Sequence, residues 1–351
     1  MKKVIFISAI ALAAAVSCTK SEVVDTKFNE QIGFETYLGR DAQTKAPVAT
    51  TQNVATLGLF GFYTGNDEWD NESTPNLWNN TELTKAANWV PTDVKYWTND
   101  TDKYTFLAYA PYATETNGIT VTAGADPKVT YAVNADLKKQ IDLLYANDEG
   151  HVDMVKPATG TNVALKFNHA LSRLTVKAKA ASDVFKFDVK EVSIAGNFNT
   201  TGTLNLATAA WTATPVAATY TFYTNTAAYA EATALTTEYV DYAGTDNYLM
   251  MIPTNFSAEG ATDATLTVKY TTFYQNQEST VNTVTFPVAT NFEKGKAYAI
   301  NLEFMKDNQP ITFSVTVADW DEDTTVQTEY PVDEPANEEP ETPETPVDPA
   351  E

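Results

Sequence analysis

Apolar residues recur at every second position in Val163–Phe167, Leu174–Ala178, Thr265–Tyr270, Thr283–Val288 and Ile311–Val317. A period of two puts one set of side chains on one face of an extended segment, so each run reads as a strand with one buried side. Thr, Val, Tyr and Phe dominate these runs, and those residue types fit a pleated, half-buried surface. Turn signals such as Thr64-Gly-Asn-Asp67, Asn117-Gly118, Ala195-Gly-Asn197 and Lys294-Gly295 separate them. Short strands between frequent turns predict an all-β protein of the sandwich type. One stretch departs: Asn134–Tyr145 carries Leu137, Ile141, Leu144 and Tyr145 at helical spacing, which allows one short helix or a loop turn.

The N-terminus reads as an export signal. Lys2 and Lys3 precede a 13-residue apolar stretch from Val4 to Val16, and Ala15-Val16-Ser17-Cys18 supplies small residues for cleavage. A membrane-spanning helix needs roughly 20 apolar residues. No later segment approaches that length, so none is expected. Cys18 is the only cysteine, which leaves an exported chain without an internal disulfide. The Ala-Val-Ser-Cys run resembles the bacterial lipoprotein cleavage box, in which the cysteine thiol takes a diacylglycerol and becomes the new N-terminus. An ordinary signal with an incidental cysteine is the other reading. A lipidated Cys18 with several acyl chains would anchor the protein durably.

Against 23 Lys and Arg stand 46 Asp and Glu, a net charge of −23, so the clustered cations of a nucleic-acid footprint are missing. Twelve of those carboxylates lie in the last 31 residues, which have no Lys or Arg. A body of roughly 300 residues fits two domains.

Catalytic signals are weak. His151 and His169 are 18 residues apart, with no cysteine or second histidine at metal-ligand spacing. His169 ends an alternating run, where a histidine ordinarily caps a sheet edge or bonds to a loop. No Gly-x-Ser-x-Gly elbow and no phosphate-cradling glycine loop occurs. Asp319, Asp321 and Asp323 alternate around Trp320 but lack the sixth-position glycine and terminal glutamate of a calcium loop. No enzyme, cofactor or metal is therefore expected. Paired carboxylates of a glycosidase stay compatible with the composition.

A series of local phrases points further: Lys95-Tyr-Trp97, Tyr104–Pro111, Ile141–Ala146, Val163–Leu174, Leu249-Met-Met-Ile-Pro253, Phe292–Tyr298 and Val315–Trp320. In this order and spacing they resemble the fimbrillin family, the subunits of Gram-negative type V pili, over residues 28–320. The resemblance implies two tandem transthyretin-like β-sandwich domains and export as a lipoprotein through the periplasm to the outer membrane. It also implies removal of the first strand at the cell surface by an arginine-specific protease, and polymerisation by strand exchange. The expected division is 1–17 signal peptide, 18–45 lipidated propeptide with a removable first strand, 46–160 N-terminal sandwich and 161–321 C-terminal sandwich. Residues 322–351 follow as a donor-strand candidate and an extended acidic, Pro-rich tail. The partners implied are other copies of the chain, related pilin subunits, the protease, and the outer membrane through the lipid before processing.

The parts such a mechanism needs are visible. Phe28, Ile32, Phe34 and Leu38 share one parity and Asn29, Gln31 and Glu35 the other, the pattern of a removable strand with one buried face. Arg40 follows in Leu38-Gly-Arg-Asp-Ala-Gln-Thr-Lys45, a polar connection of the kind proteases reach, and is the only arginine before Arg173. Arg40 is the expected processing site, with Lys45 second and an uncut surface arginine as the alternative. Removing four apolar side chains would open a groove representing about 6–12 kcal/mol before entropy. A sheet edge left open accepts an extended peptide as a strand. The donor candidate is Thr324–Val332, with Val326, Thr328, Tyr330 and Val332 on one face and Pro331 confined to the end or outer side of any ladder. Pro335, Pro340, Pro343, Pro346 and Pro349 among acidic residues describe a disordered tail. The segment past Trp320 speaks against a basal anchor subunit, and Arg40 favours a stalk over a tip. A competing reading is a surface glycan-binding lipoprotein whose Trp69, Trp78 or Trp89 form a sugar platform.

Overall fold

Each of the five period-two runs lies in a strand, except that Ile311 stands just ahead of its own. The computed structural model describes residues 30–38, 54–85, 89, 91–228, 234–242, 248–260, 262, 264–274, 277–305, 311–320 and 326–329. These residues form an almost purely β architecture of packed sheets.

The first sheet takes β1 (Phe34–Leu38), β2 (Thr56–Gly65), β3 (Trp78–Thr84), β4 (Lys103–Ala110), β7 (Leu144–Ala146) and β8 (Val163–His169), in the order β1-β8-β7-β4-β2-β3. A second sheet is built from β5 (Ile119–Thr122), β6 (Lys128–Ala132), β11 (Thr201–Asn205) and β12 (Trp211–Ala213). One face of the first sheet buries Ile32, Phe34, Leu57, Leu59, Trp78, Phe106, Leu165 and Phe167 together. Its other face joins Phe60, Phe62, Leu107 and Tyr109 to Val129, Tyr131, Leu204, Ile252 and Trp320. Strands β2 and β4 are thus covered on both sides, which is why Tyr104-Thr-Phe-Leu-Ala-Tyr-Ala110 is a continuous buried run rather than an alternating one.

The remaining strands make a sandwich. One sheet holds β10 (Lys186–Phe198), β13 (Val216–Thr224), β17 (Ala264–Tyr274), β18 (Gln277–Glu278) and β19 (Asn282–Val288). The other holds β9 (Ser172–Ala180), β14 (Val240–Asp241), β15 (Leu249–Met251), β21 (Lys296–Phe304), β22 (Thr312–Asp319) and β23 (Val326–Glu329). Leu174, Val176, Ile194, Phe198, Leu266, Val268, Ile300 and Leu302 fill the space between them. A short pair, β16 (Thr254–Asn255) with β20 (Asn291–Phe292), closes one end.

One expectation changes. The division at residues 160 and 161 falls too early, because β8 pairs with β1 and β7 in the first sheet and the chain changes sheets only at Ala170 and Leu171. The cut is also not clean: β11 pairs antiparallel with β6, so strands from both sides of the division share the second sheet. The helical spacing in Asn134–Tyr145 gives the short helix it allows, a one-turn 3-10 helix at Leu137–Lys139 capped by the Asp136 carboxylate, which accepts from the Lys138 N–H at 3.1 Å. Its apolar residues are claimed by three separate cores, Leu137 by the second sandwich, Leu144 by one face of the first sheet and Tyr145 by the other.

Gly58 shows how tightly β2 and β4 pack. It stands directly across the ladder from Tyr109, whose ring occupies the space a Cβ would need. A Gly58→Ala chain is expected to lose about 1–3 kcal/mol to overpacking, read as a lower urea midpoint with an unchanged slope.

Candidate assembly site

The segment Glu30–Leu38 is inlaid between two parts of the first half. On one flank β1 pairs in parallel with β8, Phe34 opposite Val163 through Leu38 opposite Phe167, and the Val163 N–H donates to the Gly33 carbonyl at 2.8 Å. On the other flank the Ile32 N–H donates to the Lys95 carbonyl at 2.9 Å, the Trp97 N–H to the Glu30 carbonyl at 3.1 Å, and Phe34 and Trp89 exchange both backbone bonds. Alternation does the rest. Ile32 and Phe34 are wholly buried with Gly33 between them, while Gln31 and Glu35 on either side are exposed.

Aromatic rings shape the socket. The Phe34 ring meets Trp78 edge-on at 5.6 Å and Phe106 edge-on at 5.2 Å, both favourable geometries beyond the area they bury. The Trp89 indole N–H donates to the Thr36 hydroxyl at 3.3 Å. At the head of the segment the Glu30 carboxylate lies 2.8 Å from the Lys156 ammonium and accepts from the Gly160 N–H. Those hydrogen bonds hold the Glu30 carboxyl below its ordinary range and raise the Lys156 ammonium. Lys156 has a side chain only 5% exposed, and its other carboxylate, Asp100 at 3.6 Å, is mostly in solvent. This ion pair joins residues 126 positions apart, so no local pattern announces it.

Other expected site residues are placed as follows. Leu38 is in β1 with its backbone opposite Phe167. Cys18, Phe28, Arg40 and Lys45 lie outside the described residues, as do Tyr330 and Val332. Val326–Glu329 forms β23, which adds antiparallel to β22 with Thr328 opposite Val315 and Val326 opposite Val317. The chain's other arginine, Arg173, sits inside β9 between β15 and β21, its guanidinium 4.8 Å from the Tyr248 ring and 5.3 Å from that of Trp320.

The tryptophan platform is not realised. Trp78 and Trp89 are 2% and 4% exposed and belong to the core around Phe34, and half-buried Trp69 leans on Phe62 at 5.5 Å. Neither histidine stands in a cleft. His169 is buried with its Nδ1 2.8 Å from Asp142 Oδ2 and its ring stacked flat on Trp320 at 4.3 Å, which makes it part of the joint between the halves. Asp319 ends β22 in an ion pair with Lys296, and Asp321 and Asp323 lie outside the described residues.

His151 is wholly buried, its Nδ1 2.6 Å from the Phe106 carbonyl while its Nε2 accepts from the Asp148 N–H at 3.2 Å. A neutral ring with its proton on Nδ1 satisfies both bonds, and burial lowers its tendency to take a second proton. In the unfolded chain a histidine takes that proton near its ordinary value of about 6.5. Stability is therefore complete above that value and declines as the pH falls below it, because the unfolded state then binds a proton the folded state refuses. The urea midpoint is expected to drop between pH 7.5 and pH 5.5, and to drop less in His151→Gln.

A family model described as Fimbrillin-like matches residues 44–320. The fimbrium subunit Fim1C of Phocaeicola vulgatus is 27% identical over 190 residues, 48% of this chain and 50% of the relative, so the chain spans about half the length of the curated relative it matches. A crystal structure of a fimbrial protein from Bacteroides vulgatus aligns with a TM-score of 0.68 at 20% identity, covering 83% of this chain and all of that one. At that identity the likeness carries the fold, a β-sandwich architecture.

Proposed function

We propose that this chain, which belongs to the fimbrillin-like family, is a structural subunit of a cell-surface fimbrium that supports adhesion and polymerises when its first strand is replaced by a strand from a neighbour. In this reading Cys18 carries the lipid that holds the exported precursor at the outer membrane. An arginine-specific protease cuts after Arg40, the segment up to Arg40 departs, and the subunit joins others in the stalk. Its role is structural rather than catalytic, and the whole subunit is the repeating unit of the filament.

The observation that carries the reading is the seating of Glu30–Leu38. Its Ile32 and Phe34 are core residues, yet the segment occupies the end position of the first sheet and is joined to β2 only through residues 39–53, which contain Arg40 and Lys45. A cut there leaves the segment held by non-covalent contacts alone. Its departure uncovers the slots of two large side chains, representing about 3–6 kcal/mol of apolar surface, and one unpaired edge on β8. A surface of that kind is relieved by adding an extended strand. Relatives that carry the names fimbrium subunit and fimbrial protein agree with such a role.

The test is to expose the purified mature chain to an arginine-specific protease and follow it on SDS gels without boiling. A single clip followed by a ladder of SDS-resistant oligomers is the expected result. A clipped chain that stays monomeric at high concentration would refute strand exchange.

A further inference from the structure

Strand replacement leaves Lys156 with a problem that the departing segment had solved. When Glu30 leaves, an ammonium on a side chain only 5% exposed keeps just the exposed Asp100, and the Gly160 N–H loses its acceptor. An incoming strand that covers Lys156 again without bringing a carboxylate would enclose the ammonium with Asp100 as its one partner, so a strand that brings a carboxylate to this point is favoured over one that does not.

At every second position the departing segment has the order Glu30, Ile32, Phe34, Thr36, Leu38: acid, aliphatic, aromatic, threonine, aliphatic. None of the twelve acids after Trp320 is followed at its second and fourth positions by large apolar side chains. Read backwards, one matches in full: Glu334, Val332, Tyr330, Thr328, Val326. A strand laid in this way runs opposite to β1, and to donate it a copy gives up the pairing of its β23 with β22.

Reversal has two further consequences. With the same side chains kept inward, a reversed strand turns each residue's N–H and C=O to the opposite flank. Gly33 faces β8 and Ile32 and Phe34 face the 89–97 flank. In the reversed strand Val332 and Tyr330 face β8 instead, and Pro331, at the Gly33 position, turns its missing N–H away from that ladder. The ladder with β8 also changes from parallel to antiparallel, the more stable arrangement per residue.

We propose that Lys156 and the Gly160 N–H form a carboxylate socket that sets the register and direction of the replacing strand, and that Glu334 of a second copy of this chain fills it. The proposal rests on the strand-exchange reading and adds to it a specificity-determining contact. Full-length precursors are clipped with an arginine-specific protease and the SDS-resistant ladder is timed. Wild type and Glu338→Gln are expected to assemble at one rate and Glu334→Gln about tenfold more slowly, the loss of a charge-assisted hydrogen bond. Glu334→Gln alters the tail alone. In a second pair, Glu30→Lys with Lys156→Glu keeps the precursor's ion pair reversed, assembles poorly, and recovers when Glu334→Lys is added. A wild-type rate in Glu334→Gln, or no recovery with Glu334→Lys, overturns the socket while strand exchange stands. No ladder from the clipped wild type overturns both.

Discussion

Arg40→Ala is expected to leave one full-length band after exposure to an arginine-specific protease, and no oligomer ladder at any time. The chain has two arginines, so the enzyme has one other choice. Arg173 is a poor one: it lies near the start of β9 between two hydrogen-bonded neighbouring strands, with its guanidinium against two rings. A protease must draw several residues into an extended conformation, and at Arg173 that requires opening the core of the second half. Cleavage there is scaled by the open fraction, on the order of 10⁻³ to 10⁻⁶ for a folded domain. An Arg40→Lys chain should resist the same enzyme and assemble normally when trypsin is used. Unchanged laddering of Arg40→Ala would move the cut elsewhere.

Phe34→Ala is expected to destabilise the precursor by about 3–5 kcal/mol, because the ring fills a slot whose walls, Trp78 and Phe106, cannot collapse without disturbing the sheet. Gln31→Ala, one residue ahead of the buried pair and exposed, should stay within about 0.5 kcal/mol of wild type. The contrast between precursor and clipped forms is the sharper result. In the proposed mechanism Phe34 leaves with the first strand, so Phe34→Ala should lower the urea midpoint of the precursor while the clipped chain assembles as fast as wild type, or faster. A substitution in the slot wall, Phe106→Ala, should weaken both forms.

What could be read in advance follows from how local the cause is. The alternation around Ile32 and Phe34 is a property of neighbouring residues, and the burial of that pair beside exposed Gln31 and Glu35 follows the same parity. Strand β8 was visible for the same reason, but its sheet was not: pairing depends on β1 and β7, and the two faces of Phe167 and Ala164 look alike whichever sheet receives them. The spacing of Leu137, Ile141, Leu144 and Tyr145 suggested a helix because each is drawn into a core, yet the cores are different ones. Trp78 and Trp89 suit a surface or a core, and composition does not separate the two; the Phe34 ring against Trp78 and the Phe34 backbone bridge to Trp89 place both in the core. The Glu30 and Lys156 pair is long-range, and no local pattern in the sequence marks it.

The most direct measurement is the mass of the chains inside the SDS-resistant oligomer formed after clipping. Denatured by boiling and weighed, each should begin after Arg40, with the peptide ending at Arg40 recovered in the soluble fraction. Oligomers in which that peptide is still present in equal amount would mean that Ile32 and Phe34 never left their slots, and that subunits join by some other surface.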